Sequence, residues 1–333
     1  KVLYTGIVNT SKKGMYILEY SVTDSDFNTV TKRRIVAVGL HVGKEYAYDV
    51  HNYVILKDDV KGTNAEILNK TEARAWSIST GLELAQSDLM VKENGGYKAE
   101  VNDYTVIIKA KAATDPADEV SAIAKVVDND VIEEGDKYTI VANNIVLTLD
   151  QAKAIANNDE LVGLAKAKAW KLSDLSEATV VLESTNFTAA SATAKDYTAT
   201  FQVNEDKATK VTIKIKVIDK DVIEHGDKYT IGANNIVMTL DEAKAIKNHN
   251  ELINLAKAEA FKRKDMSAGT VKLESTTFEA KVNDYTATFS VEEEPATKVT
   301  VQIKVIDKDI IEHGDKYTIG ANNIVMTLDE AKT

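Results

Sequence analysis

Residues 217–244 read VIDKDVIEHGDKYTIGANNIVMTLDEAK, and residues 305–332 read VIDKDIIEHGDKYTIGANNIVMTLDEAK. The two blocks differ only at Val222 and Ile310. A third copy, VVDNDVIEEGDKYTIVANNIVLTLDQAK, occupies residues 126–153, and a weaker fourth, GKEYAYDVHNYVILKDDVK, starts at Gly43. With the shared glycine as a ruler, Gly43, Gly135, Gly226 and Gly314 are 92, 91 and 88 residues apart. That period exceeds the roughly 20–50 residues of solenoid repeats, which bury their apolar faces only by stacking. It is the size of a small domain able to close its own core. The chain therefore divides into an end piece at 1–40, repeat 1 at 41–128, repeat 2 at 129–219, repeat 3 at 220–307 and the start of a truncated repeat 4 at 308–333. The near-identity of the last two blocks marks a recent duplication, which alters length more readily than chemistry.

Local patterns inside the repeat agree from copy to copy. Tyr229 and Ile231 alternate ahead of Asn234-Asn235, and Ile236–Met238 is a short apolar run, so two short strands or one interrupted strand are expected. Thr239…Glu242 has capping-box spacing, in which a hydroxyl and a carboxylate satisfy free amides at a helix start; Thr148…Gln151 and Thr327…Glu330 repeat it. A second box at Asn248…Glu251, Asn157…Glu160 and Thr63…Glu66 predicts a longer helix, with Ile253, Ala256 and Ala260 on one face. Three period-two strands follow: Val271/Leu273, then Tyr285/Ala287/Phe289/Val291, then Val299/Val301/Ile303/Val305. The expected unit is β-α-β-β-β, about 90 residues, an α+β module with helices on a mostly antiparallel sheet. Repeat 1 has Leu56 in place of the first Thr cap, which puts its first short helix in doubt. Residues 1–40 show no helix pattern: Tyr16/Leu18/Tyr20/Val22 alternate, an acidic turn follows, and 29–38 makes a second strand. A hairpin of this size is too small to stand alone, so it is expected to be the C-terminal part of an all-β sandwich.

The 333 residues carry 41 Lys+Arg against 52 Asp+Glu, a formal charge of −11. An acidic balance argues against nucleic acid, whose phosphates demand clustered cations. The absence of Cys removes disulfides, thiolate nucleophiles and Cys-based metal sites. No run of 18 apolar residues occurs, so no membrane contact is expected. The chain begins at Lys1, without Met and without a signal pattern, and is expected to be a fragment or processed piece.

The segment NTSKKGMYILEYSVTD (9–24), followed by Asn28 and RIVAV (34–38), resembles bacterial immunoglobulin-like domains of Gram-positive surface proteins. The unit GANNIVMTLDEAKAI…LINLAKAEAF resembles the tandem modules of Listeria-type cell-wall-anchored adhesins, over most of 43–333. The resemblance implies an extracellular, cell-wall-associated protein with a cleaved signal and peptidoglycan anchoring through a C-terminal sorting motif. This chain shows neither, so anchoring is an inference from the resemblance.

Candidate chemistry is sparse. Carboxylates cluster where one repeat meets the next, and hard oxygen ligands there would hold Ca²⁺ and stiffen the array: Asp128, Asp130 and Asp136, then Asp219, Asp221 and Asp227. Asp307, Asp309 and Asp315 repeat the set. A solvated turn is the favoured alternative, because the spacing is not that of an EF-hand and Lys220 and Lys308 interrupt it. No other cofactor is expected. His41, His51, His225, His249 and His313 lack metal-motif spacing, and no Gly-x-Ser-x-Gly elbow or phosphate-binding glycine loop exists. Trp76, Trp170 and Phe261 share one slot, expected near the end of the longer helix, where a core plug is favoured over a sugar-stacking platform. Tyr104, Tyr197 and Tyr285 read as half-buried strand residues, and the Asn pairs as tight turns or bulges.

The expectation is a non-enzymatic surface protein, an adhesin or stalk whose partner is a host or environmental protein or glycan. One alternative is a glycan-binding accessory region of a larger secreted hydrolase, which exposed aromatics would support. Another is a surface-layer or biofilm-matrix protein that self-assembles.

Overall fold

The computed structural model describes residues 2–314 and 317–326. The capping box expected at Thr327…Glu330 and the carboxylate of Asp315 lie outside the described residues. At the N-terminus, Val2–Thr5, Gly14–Thr23 and Thr29–Val38 form one antiparallel three-stranded sheet, with Gly14 opposite Val38 and Thr23 opposite Thr29. The two longer strands are those the alternation predicts.

Repeat 3 shows how the unit is built. Its first sheet has the order Val222–His225, Tyr229–Ala233, Glu259–Lys262, Ala268–Gly269; its second has the order Ile236–Thr239, Glu294–Ile306, Asn283–Val291, Val271–Thr276. Ile231, Ala233 and Ala260 from the first sheet share a core with Met238, Tyr285, Phe289 and Val301 from the second. Two sheets closing on one core make a β-sandwich. Repeat 1 does the same: Tyr48 and Ala75 of the sheet His41–Val42, Tyr46–Asp49, Arg74–Ser77 pack with Tyr53, Val106, Ile108 and Ala124 of the other sheet. The strands of repeat 2 follow the order of repeat 3. The β-α-β-β-β expectation is therefore corrected to a sandwich with short helical segments. Among the described residues no helix is long and apolar enough to cross a membrane.

Two physical causes account for the difference. The first is at the Asn pair, where the chain leaves one sheet and joins the other. The Asn234 amide donates to the Ala256 carbonyl (2.8 Å), the Asn235 amide to the Asp221 carboxylate (2.8 Å), and the Asn234 side chain accepts from the Asp221 amide (3.0 Å). With its hydrogen bonds diverted sideways, the strand breaks and changes sheet. The second cause lies after the helices. Glu251–Leu255 is barely more than one turn, and Lys257, Lys166 and Glu72 sit at φ 46–48°, the left-handed conformation that ends a helix. Ala260 and the aromatic slot consequently lie on a strand, not on a helix. The first capping boxes are formed in full at Thr148–Gln151 and Thr239–Glu242, whereas repeat 1, with Leu56 in that place, has only a 3-10 turn, Lys57–Asp59.

The ruler glycine is fixed by a carboxylate cradle. In repeat 1 the buried Asp118 carboxylate accepts from the backbone amides of Lys44 (2.8 Å), Glu45 (2.9 Å) and Tyr46 (3.0 Å). In repeat 3 Glu294 takes the amides of Lys228 (3.0 Å) and Tyr229 (3.1 Å). A Cβ at Gly43 would overlap Asp118, and one at Gly226 would overlap Thr297. Only glycine lets the turn come this close. In all three repeats the strand tyrosine donates its hydroxyl to the carbonyl four residues back: Tyr104 to Glu100, Tyr197 to Thr193 and Tyr285 to Lys281.

By compactness the chain forms two units, 1–141 with 168–179 and 203–209, and 142–167 with 180–202 and 210–333. The division falls within repeat 2 because its first sheet shares an apolar cluster with repeat 1, while its second shares one with repeat 3.

Candidate functional site

Among the described residues, the acidic clusters do not converge on a common metal position. Asp128 and Asp219 are exposed just past the last strand of their repeats, and Asp136 and Asp227 are exposed in the turn after the next strand. Asp130 is buried, and Asp221 is committed to the Asn235 amide. The residues between, Val131–Glu134 and Val222–His225, are strands. At about 3.3 Å per residue such a strand holds its two flanking carboxylates more than about 10 Å apart, beyond sharing one ion. Among the described residues no three His, Asp or Glu side chains converge on a metal position. What reads as a linker is the first strand of the next sandwich. His225 and His313 each pair a ring nitrogen with a threonine on the neighbouring strand, Thr230 (2.9 Å) and Thr318 (3.0 Å).

The aromatic slot is buried, with Trp76, Trp170 and Phe261 at 4%, 5% and 9% exposure. A sugar-stacking platform requires open ring faces, so these rings do not provide one. Nor is Trp170 a plug inside its own sandwich. It packs with Val141, Ile132 and Leu175 of repeat 2 against Val54, Leu56 and Val127 of repeat 1. Phe261 repeats the arrangement, with Ile223 and Met266 of repeat 3 against Val146 and Ile218 of repeat 2. A lysine from the preceding repeat lies over each ring: Lys125 at 5.4 Å from the Trp170 centroid and Lys216 at 4.7 Å from Phe261. Each lysine is fixed by a carboxylate at 2.6 Å, Asp103 and Asp196 respectively. A cation over an aromatic face adds about 0.5–2 kcal/mol.

Polar clamps flank both apolar joints. The Asn52 side chain donates to the carbonyls of Leu172 and Ser173 (both 3.1 Å) in repeat 2, while its own oxygen accepts from the Ile123 amide of repeat 1 (2.8 Å). Asn144 does the same one repeat on, donating to Arg263 (2.7 Å) and Lys264 (3.1 Å) and accepting from Lys214 (2.7 Å). The clamped loop carries Leu175 or Met266 in the left-handed conformation, at φ 55° and 62°. Backbone strain of this kind costs about 1–3 kcal/mol and persists only where surroundings enforce it. Here it aims an apolar side chain into the joint. The clamp asparagine is the residue that sequence patterning missed: it looks like a turn former, and its partners are about 120 positions away.

The two joints also differ in a compensated way. Val127 and Val141 share the first, whereas the second has Ile218 facing Gly232, where a Cβ would lie 2.8 Å from the Ile218 methyl. Gly232→Val is expected to overpack the second joint by about 1–3 kcal/mol. Adding Ile218→Val, which recreates the first pairing, should recover most of the loss. Denaturant midpoints of the single and double variants check this, and simple additivity would reject the compensation.

The end piece meets repeat 1 through charge. Lys13 reaches Asp49 at 2.6 Å, and His51 lies 3.3 Å from both Asp49 and Glu72. Lys13, His51 and Glu72 border an open cleft of about 1340 Å³ whose walls include Lys61, Glu66, Lys70, Glu134 and Lys171. The hydrogen bond to Asp49 raises the His51 imidazole above its ordinary value against the opposing effects of burial and Lys13. Burial pushes Asp49 upward, yet the hydrogen bonds from His51 and Lys13 hold it below the usual range. Burial raises Glu134. For His51 the sign is that stability is fully present below about pH 6.5 and is lost as pH rises through its raised value. A raised Glu134 acts in the same direction. His51→Gln is therefore expected to destabilise at pH 5.5 and to approach the parent at pH 8.5, measured by urea unfolding at both.

No protein-family model matches the chain, and no curated protein matches it. Among solved structures, it is similar to a Clostridium perfringens ZmpB structure containing an M60 catalytic domain with CBM51-1 and CBM51-2 domains, at 13% identity and TM-score 0.24. That match covers 90% of this chain and 34% of the other, so the chain spans about a third of its length. Invasin, a bacterial integrin-binding protein, is similar at 8% identity and TM-score 0.19, covering 92% and 79% of the two chains. Domains 6-7 of the surface layer protein SbsC give 13% identity and TM-score 0.15, covering 65% and 98%.

Proposed function

We propose that the chain is a non-enzymatic, extracellular stalk or adhesin segment of a Gram-positive, cell-wall-associated protein, in which tandem sandwiches hold a binding function away from the surface. The observation that carries this is the recurring joint. An aromatic ring, a lysine above it, an asparagine clamp and a left-handed apolar residue recur in register where repeat 1 meets repeat 2 and where repeat 2 meets repeat 3. A flexible tether needs none of these, and Gly/Ser linkers are the common means of building one. Peptidoglycan anchoring, and a host or environmental protein or glycan as the partner, follow the sequence resemblance. A weak affinity in each module would be multiplied by effective concentration. The test is to display the protein with one, two or three repeats and measure attachment of cells to their target surface. Attachment or reach should fall stepwise with repeat number; complete loss on deleting a single internal repeat would overturn the proposal.

A further inference from the structure

The open cleft beside His51 is walled mainly by repeat 1 and the first sheet of repeat 2, and its lysines are unusual. Lys61 lies just ahead of the helix Asn64–Lys70, and Lys70 is the last residue of that helix. Lys137 and Lys171 come from repeat 2, where the Leu172 amide donates to the Lys137 carbonyl (2.8 Å). All four are exposed, and among the described residues none has a carboxylate within ion-pair distance, although acids share the cleft. Two of those acids are engaged otherwise. Glu66 takes the backbone amides of Lys61 (2.9 Å) and Gly62 (3.1 Å), and Glu72 stands 3.3 Å from His51. Four ammonium groups thus gather in one concavity of a chain whose formal charge is −11, and a concave site concentrates the field of one sign. The fold does not require them. Aligned on the boxes Thr63…Glu66, Asn157…Glu160 and Asn248…Glu251, Lys61 corresponds to Ile155 and Ile246, and Lys70 to Leu164 and Leu255. Repeats 2 and 3 form the same helix and the same strands with apolar residues there.

We infer that this cleft binds a segment of an acidic oligosaccharide, a chain that carries carboxylate or sulfate groups among its hydroxyls. The lysines meet the negative charge. Glu134 and Asp136, on the repeat 2 wall, accept hydrogen bonds and, when ionised, donate none, so the ligand must also bring hydroxyl donors. A polyphosphate chain supplies the charge without those donors. Among the described residues no Trp, Tyr or Phe borders the cleft, so the stacking surface used by single-stranded nucleic acid is missing. A volume of about 1340 Å³ exceeds the roughly 300–1,000 Å³ of a pocket for one small molecule, which suits several linked units. The walls are also fixed in advance. Asn52, itself on the cleft, holds the carbonyls of Leu172 and Ser173 (both 3.1 Å), so binding costs little ordering. The inference deepens the adhesive reading above, on which it rests for the partner's role, by naming that partner's chemistry.

The experiment titrates the 333-residue chain by calorimetry with hyaluronan and heparin octasaccharides, the first carrying carboxylates alone and the second sulfates as well. Neutral maltooctaose, polyphosphate of matched charge and oligothymidylate are the comparison probes. At least one acidic octasaccharide should bind with one site per chain, and the two arms show which anionic group is recognised. Maltooctaose should not bind, and polyphosphate and oligothymidylate should bind at least about tenfold more weakly. Lys61→Gln with Lys70→Gln should weaken the acidic saccharide about tenfold or more and leave the unfolding midpoint nearly unchanged. Lys153→Gln with Lys247→Gln removes the same charge from residues that do not border the cleft, and should leave binding as it was. Absence of saccharide binding, equal binding of polyphosphate or oligothymidylate, or equal losses from the two lysine pairs would overturn the inference. The attachment series described above separates the two levels. A stepwise fall in attachment without saccharide binding removes only the cleft's role; saccharide binding that depends on Lys61 and Lys70, beside all-or-none attachment, removes only the stepwise adhesive reading.

Discussion

Trp170→Ala is expected to cost about 3–5 kcal/mol, the range for deleting a large buried aromatic. The loss falls on a joint and not on the interior of one sandwich. Trp170 is 5% exposed, fills the space between Val54, Leu56 and Val127 of repeat 1 and Val141 and Leu175 of repeat 2, and carries Lys125 on its face. Removing the ring leaves Leu175, strained at φ 55°, without the aromatic member of the cluster it packs against. The expected signature is a change in cooperativity as well as midpoint: repeat 1 and the first sheet of repeat 2 should cease to unfold together. Differential scanning calorimetry would show one transition splitting or broadening. Trp170→Phe, which reproduces the ring of the next joint, should retain most of the coupling. A uniform shift of all transitions with unchanged cooperativity would mean that the ring serves only its own sandwich.

Asp118→Ala is expected to be nearly as severe, about 3–5 kcal/mol, and confined to repeat 1. One carboxylate oxygen takes three backbone amides, and its own carbonyl accepts from the Tyr48 hydroxyl at 2.8 Å. Burial pushes Tyr48 up to about 12, so that hydroxyl keeps its proton to donate throughout the physiological range. Hydrogen bonds to a charged group contribute about 1.5–3 kcal/mol each, and stranded donors add a desolvation cost. Asp118→Asn keeps an acceptor oxygen in place and should recover part of the loss. Urea unfolding followed by fluorescence would measure both. A cost below about 1 kcal/mol for the alanine variant would show that the Gly43 turn holds itself.

Those two residues also show which parts of the structure were legible in the sequence. The glycine ruler was, because its pattern is local even though the carboxylate that fixes it is not: the turn, the following tyrosine and, in repeats 2 and 3, the first threonine cap recur within about 15 positions. The three long strands were legible because period-two alternation needs no distant partner to reveal it. The AKAEAFKRK segment misled for the opposite reason. Alanine and lysine favour helix intrinsically, yet Tyr229 to Gly232 hydrogen-bond with Lys262 to Glu259 and the ring docks on another repeat. The carboxylate-rich segment looked like a solvated turn because its strand partners, ten or so residues on, were assigned to a different element. Asp118 passed unnoticed because its three amide partners lie 72–74 residues away. The joint was invisible as an object: the Asn52 and Asn144 contacts span 119–121 residues, and no local pattern distinguishes a clamp asparagine from a turn asparagine.

One feature of the second sheet bears on how the protein would respond to pulling. Ile145–Thr148 runs parallel to the end of Asp206–Ile218, with Ile145 opposite Ile215 and Thr148 opposite Ile218; Ile236–Thr239 and Glu294–Ile306 repeat the pairing. These strands lie near the beginning and the end of their repeats, and the other pairings within the sheet are antiparallel. Tension applied at the two ends of a repeat drags such a pair lengthwise in opposite directions. The ladder is then sheared, and its hydrogen bonds share the load and must fail together; an antiparallel hairpin pulled from its open end unzips one bond at a time. Whatever peels away first in the preceding hairpin, force entering a repeat meets this parallel patch as a mechanical latch.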